Sequence, residues 1–286
     1  MASGLKIHQD EHDRWQQSRN HLQAAEIRAV LESDEQIDVD AVSTALRYPL
    51  RCNHLALVLW CGESADQDEL TVLERYVHGY ATAVGARDRA LFVSADRLTG
   101  WAWIPLEPDH CVPMPDAAGS LINLAAGEPL PGVEGFRRSH RQAQLARAVM
   151  TAAGTGPAEA VSATEPGLML AALAGGNLHE ARVWVHEVLG PLASAGARDE
   201  QLRETLRVFL RAGASFKAAA GELHLHFNSV KYRVARAVER RGRPIDDDRL
   251  DVEVALLLCH WYGAAVLAPE PLPSEVEVRV SRRRSL

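Results

Sequence analysis

The sequence predicts an α+β fold in three parts: a helical N-terminal segment, an α/β sandwich domain, and an all-α C-terminal domain. Three observations carry this prediction. A continuous apolar run, "HLALVLW" at 54–60, reads as a buried central strand, and "RALFVSADRLTGWAWIPL" supplies two more apolar runs around a polar, Gly-containing turn, as a β-hairpin does. From Gly167 onward the apolar pattern is helical. Residues 203–243 hold ten Lys/Arg against three Glu, within a chain that has 31 Lys/Arg and 38 Asp/Glu in all. A basic block on an otherwise acidic protein marks one surface suited to a polyanion while the rest repels it.

With 286 residues, 47% hydrophobic and 24% charged, the chain is long enough for two domains of ordinary size with real cores. No apolar run approaches the roughly 18 residues of a membrane span, and the first twenty residues lack the apolar centre of a secretory signal, so no membrane partner is expected. Cys52, Cys61, Cys111 and Cys259 are scattered, with no CxxC pair. Each reads as a small buried hydrophobe, and the expected location is the reducing cytoplasm.

The elements follow in order. Residues 11–33 contain neither Gly nor Pro and predict a rather polar helix. Trp15, Leu22 and Ala29 fall seven apart, yet Ser18, Ala25 and Glu32 are mixed, so packing on a neighbouring domain is favoured over a coiled-coil stalk. A short helix over 39–47 ends before Pro49. The strand at 54–60 leads to a helix over 66–84, with Leu70, Leu73, Tyr76, Val77, Tyr80, Ala81 and Val84 on one stripe and Gly85 at its C-terminus. In the hairpin Trp101 and Trp103 share one face and read as core, with the mouth of a ligand cleft as the alternative. "SLINLAAG" offers a further strand and "GFRRSHRQAQLARAVM" a helix, giving β-α-β-β-β-α, helices on an antiparallel sheet. Arg137, Arg138, Ser139 and His140 suggest an anion-binding helix start, although a solvated helix start is the plainer reading. The C-terminal helices are "GLMLAALAG", "NLHEARVWVHEVLG", "DEQLRETLRVFLRAG", "SFKAAAGEL" with Ser215 as N-cap, and "DDRLDVEVALLLCHWYG". The expected domain limits are 1–50, 51–165 and 166–268, with 269–286 a flexible tail.

The stretch "ELHLHFNSVKYRVARAVERR" at 222–241 alternates like a strand in its front half. Its back half is a basic amphipathic helix, with Val230, Val234 and Val238 four apart among Lys231, Arg233, Arg236 and Arg240. Two short helices, the second one basic, form a helix-turn-helix. The alternating half is then the turn, with Leu223 and Leu225 inward and His224 and His226 outward. A recognition helix is expected over 226–241, its start capped by Asn228 or Ser229. His224 and His226 lack nearby further ligands, and His179 and His186 are seven apart, not the four of a zinc-peptidase helix, so no metal site is predicted.

The stretch "LRETLRVFLRAGASFKAAAGELHLHFNSVKYRVARAVERRGRPIDDDRLDVEVALLL" resembles the C-terminal helix-turn-helix domain of the PucR/CdaR family of bacterial transcriptional regulators. That family shows an "ETLRxYL" helix, an "AAxxLxVHRNTVxYRLxRIxELxG" unit, and a closing helix after an Asp-rich turn. "LRYPLRCNHLALVLW" and "GVEGFRRSHRQAQLARAV" are similar to the GGDEF-like domain that precedes it, so the resemblance covers most of residues 40–262. It implies that the sandwich is a degenerate GGDEF-like (ferredoxin-like) domain. Two departures stand out. His226-Phe227-Asn228-Ser229 occupies the place of "HRNT", and no "GG[DE]EF" occurs anywhere, the one Gly-Gly pair being Gly175-Gly176. The carboxylates that a diguanylate cyclase needs are therefore missing, and neither enzymatic activity nor a cofactor is expected.

The resemblance implies a sequence-specific regulator, a homodimer on double-stranded DNA with its recognition helix in the major groove. Arg211, Lys217, Arg240 and Arg241 are expected on phosphates, and Ser229, Lys231 and Arg233 on bases. His226, Phe227, Asn228, Tyr232 and Arg236 complete the expected DNA-binding set. A small-molecule effector of unidentified chemistry is a further partner the family allows, and its members often carry a sensory domain in front. The competing readings are a protein–protein or ligand-sensing module that does not read DNA, and a nucleotide-binding enzyme in the GGDEF-like domain.

Overall fold

The computed structural model describes residues 22–33, 37–61, 69–86, 88–108, 113–115, 121–154 and 159–267. The chain divides into two compact units, Met1–Ala172 and Leu173–Leu286. The N-terminal part of the predicted polar helix with Trp15, together with Cys111 and the tail at 269–286, lies outside the described residues.

The apolar run becomes β1 (Asn53–Cys61), and it is buried because it is central. It pairs antiparallel with β3 (Thr99–Leu106) on one side and with β4 (Ile122–Ala126) on the other, while β2 (Leu91–Ser94) flanks β3. The two-residue β5 (Leu130–Pro131) pairs with the start of β1. Neither short strand, β5 nor β6 (Ala160–Ser162), is expected from the sequence; β6 pairs parallel with β4, so the sheet is mixed, not antiparallel throughout. Three residues are too few to show the alternation that marks a strand in sequence.

Side chains alternate across a strand, and here each face has its own core. Leu55, Leu57 and Leu59 meet Leu73, Val77 and Ala81 of α3 (Glu69–Ala83). On the other face Ala56 and Trp103 meet Phe136 of α4 (Gly132–Ala153), Leu46 of α2 (Val39–Leu46), and Ile27 and Val30 of α1 (22–32). Trp103 stacks on Phe136 at a centroid distance of 4.3 Å and donates its indole N–H to the Phe136 carbonyl at 3.1 Å, which makes it core as expected. α1 packs on the sheet domain, but through Ala24, Ile27 and Val30; Leu22 and Ala29 of the seven-residue repeat face outward. A spacing of three on a 3.6-residue helix holds one face over two turns, and that shorter stripe won.

The anion-binding reading of Arg137 to His140 fails on position. α4 begins at Gly132, so these residues lie inside the helix. Ser139 and His140 are buried, the Ser139 hydroxyl accepts the Ala56 N–H at 2.9 Å, and Arg137 donates Nε–H to the Val30 carbonyl at 2.7 Å.

The helices that follow are α5 (Leu168–Ala174), α6 (Leu178–Leu189), a 3₁₀ turn at Gly190–Ala193, α7 (Ala197–Arg211), α8 (Phe216–Glu222), α9 (Phe227–Arg241), α10 (Arg249–Tyr262) and α11 (Ala264–Leu267). In the second unit Val185, Leu206, Ala219, Val230, Ala237 and Val252 are fully buried. Among the described residues no helix is long and apolar enough to cross a membrane.

Candidate nucleic-acid interface

α8 and α9 form the predicted helix-turn-helix. Ser215 caps α8 by accepting the Ala218 N–H at 3.3 Å. The chain then reverses through His224, whose φ of 54° is left-handed, and the Leu225 N–H reaches back to the Ala220 carbonyl at 3.0 Å. Leu223 and Leu225 are half-buried while His224 and His226 are exposed, so the strand-like alternation is that of a turn with two inward leucines. The helix starts where expected, but its capping residue differs from expectation. His226 is the N-cap, its Nδ1 accepting the Asn228 N–H at 3.2 Å, and Asn228 and Ser229 lie inside the first turn. Ser, Thr, Asp and Asn usually hold this position, so a ring nitrogen in that role left no signal in the sequence.

The inward stripe of α9 is Val230, Val234, Ala237 and Arg241. Its spacings of four, three and four follow the 3.6-residue turn, whereas the valine spacing of four drifts and leaves Val238 only half-buried. The opposite face of its N-terminal half carries Phe227, Asn228, Lys231 and Tyr232, all exposed, with Ser229 and Arg233 half-buried beside them. Tyr232 is 62% exposed. Lys231 and Arg233 have no ion pair among the described residues. Phe227 is 45% exposed, with its ring at 5.8 Å and edge-on to Phe216, which in turn stacks on Phe209 at 4.5 Å. It both closes an aromatic column and presents an apolar edge to solvent.

The cations expected on phosphates fare differently. Lys217 is exposed and has no ion pair among the described residues. Arg211 is paired with Glu222, the last residue of α8. Arg240 makes two bonds to Asp199 at 3.1 and 3.2 Å, and Arg236 pairs with Glu239 one turn along. Arg241 must be removed from the DNA set. Its side chain has no exposed surface, and it donates to the carbonyls of Val188 at 2.9 Å and Pro244 at 2.5 Å and to the Asp248 carboxylate. An arginine on the buried stripe of a helix is a staple for loop carbonyls, and its neighbour Arg240, turned by one residue, stays at the surface.

In the sheet domain the β2–β3 turn carries a single carboxylate, Asp96, which accepts the Leu98 N–H at 2.9 Å and so closes its own turn. Among the described residues no group of three or more His, Cys, Asp or Glu is placed to hold a metal ion.

Residues 202–258 match the family model of the PucR C-terminal helix-turn-helix domain, and residues 31–149 match that of the GGDEF-like domain. Together they account for well over half of the sequence, in the order the family uses. The chain belongs to the PucR family of transcriptional regulators. A protein of Thermomonospora curvata, described as an uncharacterized protein in the pkwA 5′ region, is 38% identical over 68 residues, which is 24% of this chain and 38% of that protein. The chain thus spans well under half the length of that relative. A solved structure, the regulator of polyketide synthase expression from Bifidobacterium adolescentis, is 19% identical with a TM-score of 0.40, over 83% of this chain and 96% of that one. Within this PucR-family chain the helix-turn-helix match includes all of α8 and α9, and with them Arg211, Lys217 and the candidate face of α9.

Proposed function

We propose that this PucR-family chain regulates transcription by binding double-stranded DNA sequence-specifically, as a dimer, with the N-terminal half of α9 in the major groove. The observation that carries the reading is the free face of α9. Lys231, Tyr232, Phe227 and Asn228 stand exposed at the end of the helix that a helix-turn-helix presents to base edges, and Lys231 is not neutralised by a carboxylate among the described residues. Ser229 and Arg233 flank that face, and Lys217 on the preceding helix supplies a free cation for the backbone. One helix-turn-helix buries little surface on DNA, so a dimer spanning half-sites about 34 Å apart supplies the affinity that one copy lacks. This arrangement needs no cofactor and no chemistry at the β2–β3 turn.

The test begins with selection of a preferred duplex from a random pool, followed by binding across a salt series. Lys217→Ala should weaken all duplexes alike and flatten the log–log salt slope by about 0.9. Lys231→Ala or Arg233→Ala should instead lose about 1–3 kcal/mol, mainly on the preferred sequence. Equal behaviour of all three variants on all duplexes would sink the division into base and backbone contacts. A parent chain that selects no sequence would sink the sequence-specific reading.

A further inference from the structure

The free and the neutralised cations of the helix-turn-helix are not mixed at random. Lys231 and Arg233, toward the start of α9, have no ion pair among the described residues. Three arginines farther from that start instead face a carboxylate: Arg236 with Glu239, Arg240 with Asp199, and Arg211, at the end of α7, with Glu222. The Asp199 pair is the most firmly built of the three. Its carboxylate comes from α7, 41 positions earlier in the chain, and two of the three guanidinium nitrogens reach it, Nε at 3.1 Å and one terminal nitrogen at 3.2 Å. The Asp199 side chain is 10% exposed while that of Arg240 is 47% exposed, so the carboxylate is fixed and the arginine is the part able to leave. Asp199 also lies in the first turn of α7, where the helix N-terminus favours a negative charge, so it stays compensated when Arg240 departs.

We infer that Asp199 is a specificity-determining residue. It competes with DNA phosphates for Arg240, as Glu222 competes for Arg211, and so lowers affinity for duplex DNA of any sequence while leaving base readout intact. The inference rests on the DNA-binding reading above. A phosphate contact made by a free cation releases a counterion, and that release is the source of sequence-independent affinity and of its salt dependence. An arginine that must first give up a carboxylate contributes less of both. Base contacts from Lys231 and Arg233 bear no such cost, so the carboxylates widen the gap between the preferred sequence and all others.

The experiment uses the full chain and a fluorescent duplex of random sequence, with anisotropy measured from 50 to 200 mM salt. Asp199→Asn should tighten binding several-fold at 50 mM and steepen the log–log salt slope by about 0.9, and Glu222→Gln should do the same. Glu222 is half-exposed at the C-terminal end of α8, where a negative charge opposes the helix dipole, so its variant keeps the fold even if Asp199→Asn loosens α7 from α9. The Asp199→Asn effect must vanish in an Arg240→Ala background, a dependence that a merely structural role would not produce. Unchanged affinity and slope in both single variants, with the parent still binding DNA, would overturn the competition. A parent chain that binds no duplex at any salt would overturn the DNA reading, and this inference with it.

Discussion

Replacing Arg241 by alanine should unfold the second unit well before it alters DNA binding in any direct way. The guanidinium is fully enclosed and serves three close structural acceptors, the Val188 carbonyl on α6, the Pro244 carbonyl after α9 and the Asp248 carboxylate that precedes α10, with the Arg243 carbonyl a longer fourth at 3.5 Å. Removing one partner of a buried pair costs about 3–5 kcal/mol, because the charge left behind is uncompensated. Two features place this site at the lower end. Asp248 keeps Arg243 at 3.3 Å and is 22% exposed, and the Val188 carbonyl keeps a bond from Arg243 at 3.0 Å. The Pro244 carbonyl has no such substitute among the bonds described. A loss of about 3 kcal/mol, set against an unfolding entropy of about 0.2 kcal/mol/K for a unit of this size, lowers the melting temperature by about 15 °C. Arg241→Lys retains the charge but cannot reach three acceptors in different directions, so it should lose about half as much. Thermal unfolding followed by helical circular dichroism reads both effects. A melt within about 2 °C of the parent, together with a salt slope on generic duplex flattened by about 0.9, would refute the reasoning and return Arg241 to the phosphate contacts.

Two further perturbations test the fold around the site and beneath it. His224→Gly should stabilise the second unit by about 1 kcal/mol, because φ of 54° strains a side chain and not glycine, while the exposed ring gives up no bond seen in the fold; a lowered melting temperature would show that the ring is needed. Burial of His54 and His140 pushes each pKa down to about 4 from an ordinary value near 6.5, so the fold favours their neutral forms. Their contribution is therefore complete above about pH 6.5 and is lost as pH falls from there toward 4, on the order of 3 kcal/mol for each ring. Urea unfolding of the first unit at pH 7 and pH 4.5 should show that loss, and His140→Phe, which fills the space between Trp101 and Trp103 without a titrating group, should reduce it; equal stability at the two pH values would exclude it.

Much of the fold was legible because periodicity is a local property. The central strand, the α3 stripe on Leu73 and Val77, and the Ser215 cap each depend on residues a few positions apart, which sequence displays directly. What it hid was set by distant partners or by length. β6 is parallel and three residues long, so neither its period nor its neighbour could be read, and the outward turn of Leu22 and Ala29 depended on which stripe of α1 met the sheet. The candidate interface divides in the same way. That α9 is basic and follows a turn is written in its composition; which of its cations are free is not, because Asp199 lies 41 residues before Arg240, and Asp248 reaches Arg241 only after the chain has turned past Pro244.

That division sets how the interface is to be understood. Counting cations from Asn228 to Arg243 gives six positive charges and makes the whole helix look like one polyanion surface. Placed on the fold, the six separate into kinds. Arg241 is fully enclosed and Arg243 donates one terminal nitrogen to the Glu187 and Val188 carbonyls, so both hold α6, α9 and the Asp248 turn together. Arg236 and Arg240 are surface charges already answered by carboxylates, and Lys231 and Arg233 have no ion pair among the described residues. Net charge therefore overstates the field that a nucleic acid would meet, and its strongest part lies toward the start of α9, beside Phe227 and Tyr232. A helix charged evenly along its length would hold any duplex. On the proposed DNA-binding reading, concentrating the free charge toward the start of α9 would favour the sequences that satisfy Lys231 and Arg233, and that requirement, more than total charge, is what a sequence-specific regulator must meet.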